Sequence, residues 1–176
     1  MCLTSMNEGE NIFLPGLKAN SLRQIMFHRF QYEKALYPNL DRLPLHVRMK
    51  LDLTGIKLSL KQWLAFHIEE RSAICHLPIE QEVERQVFKD YLSFLSRQYC
   101  GAPVQELPPM EPLWEISDQV PAPVLERSGD NGQTVRLGEW INWVSHQRYA
   151  LYKTAVSKSE PEKFFAVLDE LRKAEG

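Results

Sequence analysis

The chain has 176 residues, of which 44% are hydrophobic and 25% charged, with a formal net charge of −2 and a pI near 6.2. That length can bury a core without metal or disulfide staples, and without a basic excess nucleic acid is not an expected partner. No stretch approaches the roughly 18 apolar residues of a membrane span, and three cysteines without a CxxC spacing (Cys2, Cys75 and Cys100) fit a reducing cytoplasm better than a disulfide framework.

Residues 1–24 are polar and aperiodic, and read as a flexible N-terminal tail; the opening "MCLTSMNEGENIF" has neither a positive n-region nor an apolar core. Residues 25–174 read as a single all-α domain. Apolar and aromatic residues thicken from Ile25 to Leu36, and "YPNLDRLP" breaks the chain. In "LHVRMKLDL" the apolar residues alternate at 45, 47, 49, 51 and 53, which is a strand signal, but Leu45, Met49 and Leu53 are also four apart. A lone strand among helices would lack a partner, so a helix is expected, stopped by Gly55. Ser59 and Gln62 form a capping box for the next helix, and the glutamates of "IEER" suit the start of another. "IEQEVERQVFKDYLSFLSRQYCG" is a long central helix with an apolar stripe of Val83, Val87, Phe88, Tyr91, Leu92, Leu95 and Tyr99, closed by Gly101. Residues 103–123 form a proline-rich, acidic connector holding Trp114, whose apolar area calls for docking on the body. The last helix begins with the box Ser159–Glu162 and buries Phe164, Phe165, Val167, Leu168 and Leu171.

"GIKLSLKQWLAFHIEERSAI" (55–74) aligns without a gap on "GQTVRLGEWINWVSHQRYAL" (132–151), with identities at Gly55/Gly132, Leu60/Leu137, Trp63/Trp140, Arg71/Arg148 and Ala73/Ala150. The chain therefore reads as two related helix-pair units, at about 45–77 and 124–153. Each has one apolar face that must pack on its neighbour. Gly55, Trp63, Trp140 and Trp114 are expected to be structural, and so are Arg71 and Arg148, by donating to helix-end carbonyls or stacking on their tryptophans.

Chemistry leaves little trace. The histidines at 28, 46, 67, 76 and 146 have no metal-ligand spacing with each other or with cysteine. There is no GxSxG, GxxxxGK or GxGxxG. No catalytic residue, metal or cofactor is expected, and the chain reads as a non-enzyme. One charge feature stands out: Arg42, Arg48, Lys50, Lys57 and Lys61 lie between positions 42 and 61 against Asp52 alone. Arg48, Lys50, Lys57 and Lys61 are the candidate partner-binding residues, suited to an acidic partner or a phosphorylated ligand.

"VRMKLDLTGIKLSLKQWLAF…EER" and "GEWI…QRYAL" with "SKSEPEKFFAVLDEL" resemble the two signature blocks of the nitrate reductase-associated protein family, over about Phe30 to Leu171. Arg48, Lys50, Asp52, Gly55, Lys57, Leu58, Trp63 and Arg71 carry the first block. The resemblance implies a small cytoplasmic, non-catalytic accessory or maturation factor for molybdenum-dependent assimilatory nitrate reductase, with that enzyme or its maturation machinery as partner. Members often carry cysteine near Leu43 and Thr54; this chain does not, so no cysteine-based metal or redox role carries over. Two other readings stand beside it. One is a small-molecule or cofactor carrier with a pocket between the two units. The other is a nucleic-acid-binding regulator, which the acidic balance disfavours.

Overall fold

The computed structural model describes residues 27–157 and 161–174, and these are mostly helical. The elements are α1 (Gln31–Leu36), α2 (Leu45–Thr54), β1 (Ile56–Lys57), α3 (Leu60–Ala65), α4 (Ile68–His76), α5 (Glu82–Cys100), β2 (Gln105–Glu106), a 3-10 turn (Leu113–Glu115), α6 (Ala122–Gly129), α7 (Leu137–Asn142), α8 (Ser145–Val156) and α9 (Pro161–Ala174). The N-terminal tail and Ser159 of the last capping box lie outside the described residues.

Short helices need their ends satisfied, because the first N–H groups have no partner inside the helix. A Glu or Gln in the first turn does this repeatedly. Gln62 accepts the Ser59 N–H at 2.9 Å, Glu70 that of His67 at 2.8 Å, Glu139 that of Arg136 at 2.8 Å and Gln147 that of Val144 at 3.0 Å. Gly55 and Gly101 end α2 and α5 in the left-handed conformation, with φ of 69° and 76°.

α2, α3 and α4 begin at 45, 60 and 68; α6, α7 and α8 begin at 122, 137 and 145, each 77 residues later. The match is not complete. Ile56 and Lys57 pair antiparallel with Glu106 and Gln105, a two-residue bridge that the chain after Gly132 does not form. The proline-rich connector thus supplies a strand partner and a 3-10 turn, and its last residues already belong to α6. It is tied down where it crosses the end of α2: Leu107 N–H donates to Gly55 O at 2.7 Å and Met110 N–H to Asp52 O at 2.8 Å.

Two apolar clusters fill the interior. One gathers Val47, Leu51, Trp63, Phe66, Ile74, Cys75, Phe88, Leu92 and Leu95. The other gathers Leu45, Met49, Trp114, Val124, Trp140, Trp143, Tyr149, Leu151, Phe164 and Leu168. α2 divides its residues between them. Leu45 and Met49 enter one cluster, Val47 and Leu51 the other, and Leu53 touches both. A helix buried on two sides shows apolar residues at alternating positions, which is why α2 resembles a strand on paper. α5 presents a narrower face than its stripe suggests. Phe88, Leu92 and Leu95 are buried, while Val83 and Val87 remain exposed.

Candidate functional site

Both unit tryptophans are fully buried, and each indole N–H reaches a carbonyl of the segment running ahead of its unit. Trp63 Nε1 donates to Leu40 O at 2.6 Å and Trp140 Nε1 to Ile116 O at 2.7 Å. Arg71 closes the first arrangement by donating from Nε to Phe66 O at 3.0 Å and from its guanidinium to Leu40 O at 3.0 Å. Arg148 instead pairs with the Glu115 carboxylate at 3.0 Å and lies 5.9 Å from the Trp140 ring centroid, while its Nε has no partner. Trp114 is fully buried, edge-on to Tyr149 with centroids 4.8 Å apart.

The basic residues separate. Arg48, Lys57 and Lys61 are exposed. Lys57 lies in the two-residue bridge, Lys61 on the first turn of α3, and Arg48 on α2 facing a different part of the molecule. Lys50 corrects the expectation: it is 3% exposed, and its ammonium donates to Cys75 O at 2.8 Å and Leu77 O at 2.7 Å. It caps the carbonyl end of α4, where positive charge complements the helix dipole. Burial pulls its pKa down to about 8, with Cys75 and Glu80 opposing. Cys75 is buried with its thiol pushed up to about 12 by burial, hence unreactive as a thiolate.

Asp52 ties the units together. Its carboxylate accepts from Tyr149 Oη at 2.7 Å and pairs with Lys153 at 2.7 Å. Burial first, and Asp52 second, raise the Tyr149 phenol well above its ordinary value, so it stays a donor.

Between α2, the α4–α5 link and the α7–α8 turn lies a cleft of about 880 Å³, large enough for a small organic molecule. His28, His46 and His146 meet at one side of it, with the His146 ring 4.9 Å from each of the other two. The His28 backbone N–H donates to His46 Nδ1 at 2.9 Å, which leaves the proton of neutral His46 on Nε2. Burial lowers all three: His46 to about 2, helped by the neighbouring His146 and Lys50; His146 to about 4, helped by His28; and His28 by an amount that Glu170 partly offsets. The trio is neutral at pH 7. Among the described residues no group of three His, Cys, Asp or Glu side chains is arranged to hold a metal ion. Three buried polar atoms without partners, His28 Nε2, Trp143 Nε1 and Arg148 Nε, belong to residues lining this cleft. Each such group costs about 1–3 kcal/mol while unsatisfied, so an acceptor reaching the Trp143 and Arg148 N–H groups would be favoured.

Sequence spacing missed this trio, since its members come from the chain before α1, from α2 and from α8. No local pattern marks them.

The family model for conserved nitrate reductase-associated proteins matches residues 29–171, and the chain belongs to that family. No curated protein and no solved structure matches it.

Proposed function

We propose that this member of the nitrate reductase-associated family is a non-catalytic accessory factor that docks on molybdenum-dependent assimilatory nitrate reductase or its maturation machinery. The observation that carries the reading is the family match across 29–171. The exposed cations within its first signature block suit an acidic docking partner. With Lys50 buried and Arg48 facing another part of the molecule, the docking set is Lys57 and Lys61. No helix among the described residues is long and apolar enough to cross a membrane, so docking from solution is the simplest arrangement. The test is capture of purified nitrate reductase by the immobilised protein across a salt series. Capture that weakens as salt rises is the expected result, and no capture at low salt rejects the reading.

The cleft between the units favours a second reading, a carrier of a small molecule or cofactor. Its volume and the unpartnered His28, Trp143 and Arg148 atoms speak for it. Mass spectrometry of the protein purified under native conditions, from cells with and without nitrate reductase, separates the two. A stoichiometric small molecule retained without the enzyme supports the carrier.

A further inference from the structure

A second cavity, of about 300 Å³, lies on the other side of α2. It is bounded by α1, the α1–α2 loop, the start of α2, the end of α8 and the start of α9. Among the described residues its wall carries five cations, Arg29, Arg42, Arg48, Lys153 and Lys163, against one carboxylate, Glu33. These come from five separate stretches of chain, so their convergence is a product of the fold and not of a charge run in the sequence.

Glu33 offsets Arg29 and Arg48 only in part. It is 5% exposed, and its two oxygens accept the Phe30 N–H at 3.0 Å and the Leu45 N–H at 2.8 Å, capping α1 and α2 at once. Lys153 is neutralised by Asp52. The three arginines form no ion pair among the described residues. Arg29 is held rigidly by carbonyls: its guanidinium donates to Tyr37 O at 2.7 Å, Glu33 O at 3.2 Å and Pro38 O at 3.3 Å. Arg48 is steered by one bond from Nε to Leu43 O at 3.1 Å. Carbonyls orient a guanidinium without neutralising it, and the one buried Glu33 carboxylate is shared between Arg29 and Arg48. Lys163 stands over the Tyr37 ring, 5.7 Å from its centroid. Like charges drawn together in a concavity repel, and the arrangement is relieved when an anion enters.

We propose that this cavity is a binding site for a small phosphate-bearing molecule. Guanidinium forks match the paired oxygens of a phosphate, and Arg42 and Arg48 are the groups that would grip it. The volume suits a phosphate ester of sugar size and is too small for a protein segment. The site is separate from Lys57 and Lys61, and its occupancy does not depend on capture of nitrate reductase.

The experiment is isothermal titration of the full chain with inorganic phosphate, pyrophosphate and glycerol 3-phosphate, with sodium chloride matching ionic strength. Saturable one-site binding of at least one phosphate probe is expected. In Arg42→Ala and in Arg48→Ala it weakens by about tenfold or more, the scale of one lost charge-assisted contact. Arg42 is exposed and has no hydrogen-bond or ion-pair partner among the described residues, so its removal leaves folding intact. Arg97→Ala on α5 removes the same charge far from the cavity and keeps wild-type affinity. An ester that binds more tightly than free phosphate identifies the ester as the ligand type; equal affinities identify the free oxyanion. Absence of saturable binding, or equal weakening in Arg97→Ala and Arg42→Ala, overturns the proposal.

Discussion

Gly55 and Gly132 occupy the same place in the two units, 77 residues apart, and both take the left-handed conformation, with φ of 69° and 66°. Around them the molecule has done different things. A Cβ on Gly55 would sit 2.1 Å from Leu107 O, because the connector crosses directly over it, whereas a Cβ on Gly132 would meet nothing within 4 Å. The same asymmetry recurs at the arginines. Arg71 is spent on main-chain carbonyls, while Arg148 faces a carboxylate at the cleft with one nitrogen unsatisfied. Equal backbone geometry has been put to unequal use: the first unit is sealed by the connector, and the second contributes the polar wall of the cleft.

The tryptophans are where the units should behave alike. Each is fully buried in its own cluster and holds one carbonyl, so truncation to alanine leaves a large cavity and, at Ile116 O, an orphaned acceptor, while Leu40 O keeps its bond from Arg71. Trp63→Ala and Trp140→Ala should each cost about 3–5 kcal/mol, read from urea unfolding. If one melts like wild type, its cluster is not part of the cooperative core and the parallel between the units ends there.

Acid should separate them. Position 146 has its counterpart at Glu69, which is exposed, while His146 is 6% exposed against His28 and His46. An unfolded histidine titrates near 6.5; folded His146 titrates at about 4. Below pH 6.5 the unfolded chain binds protons that the folded chain refuses, so stability complete above about pH 6.5 is lost as pH falls toward 4. The loss from His146 alone is on the order of 3 kcal/mol, and His46 extends it to lower pH. His146→Gln should flatten the pH 4–6.5 limb of the stability curve. An unchanged slope would place the acid sensitivity elsewhere.

The glycines come next. Gly55→Ala adds a clash with Leu107 O to the left-handed strain, and that oxygen is backbone, which cannot swing aside. It should cost more than about 2 kcal/mol, while Gly132→Ala costs only the conformational strain of about 1–2 kcal/mol. Equal losses would mean that the connector does not bear on Gly55 in solution.

What could be read beforehand follows from where the determinants lie along the chain. The helices, their capping residues and the paired tryptophans are local or periodic, and appear in the letters. The identity of α2 required knowing that it is buried on both sides, a tertiary fact. The fate of Lys50 was equally hidden. Nothing near it predicts that its ammonium will reach the carbonyls of Cys75 and Leu77, more than twenty positions away. The histidine trio and the arginine-lined cavity are assembled from segments more than a hundred residues apart. Such convergence has no spacing to detect.

The smallest expected effect on stability is also the sharpest contrast in surface charge. Lys57 and Lys61 are exposed in the first unit, and their counterparts in the second are Thr134 and Gly138. Docking through charge should therefore use the first unit alone. Lys57→Glu with Lys61→Glu removes no salt bridge among the described residues and no core contact, so stability should stay within about 0.5 kcal/mol of wild type. Lys50 must be left out of that set, because a carboxylate there would face two carbonyl oxygens in a buried place and unfold α2 from α4. Capture of nitrate reductase by the double variant should be lost at physiological salt and not be restored by lowering the ionic strength, since the surface now repels an acidic partner. Far-UV circular dichroism and a urea titration verify the fold. Capture equal to wild type would make these lysines an ordinary solvated face and move the docking surface to the cleft or to the acidic connector around Trp114.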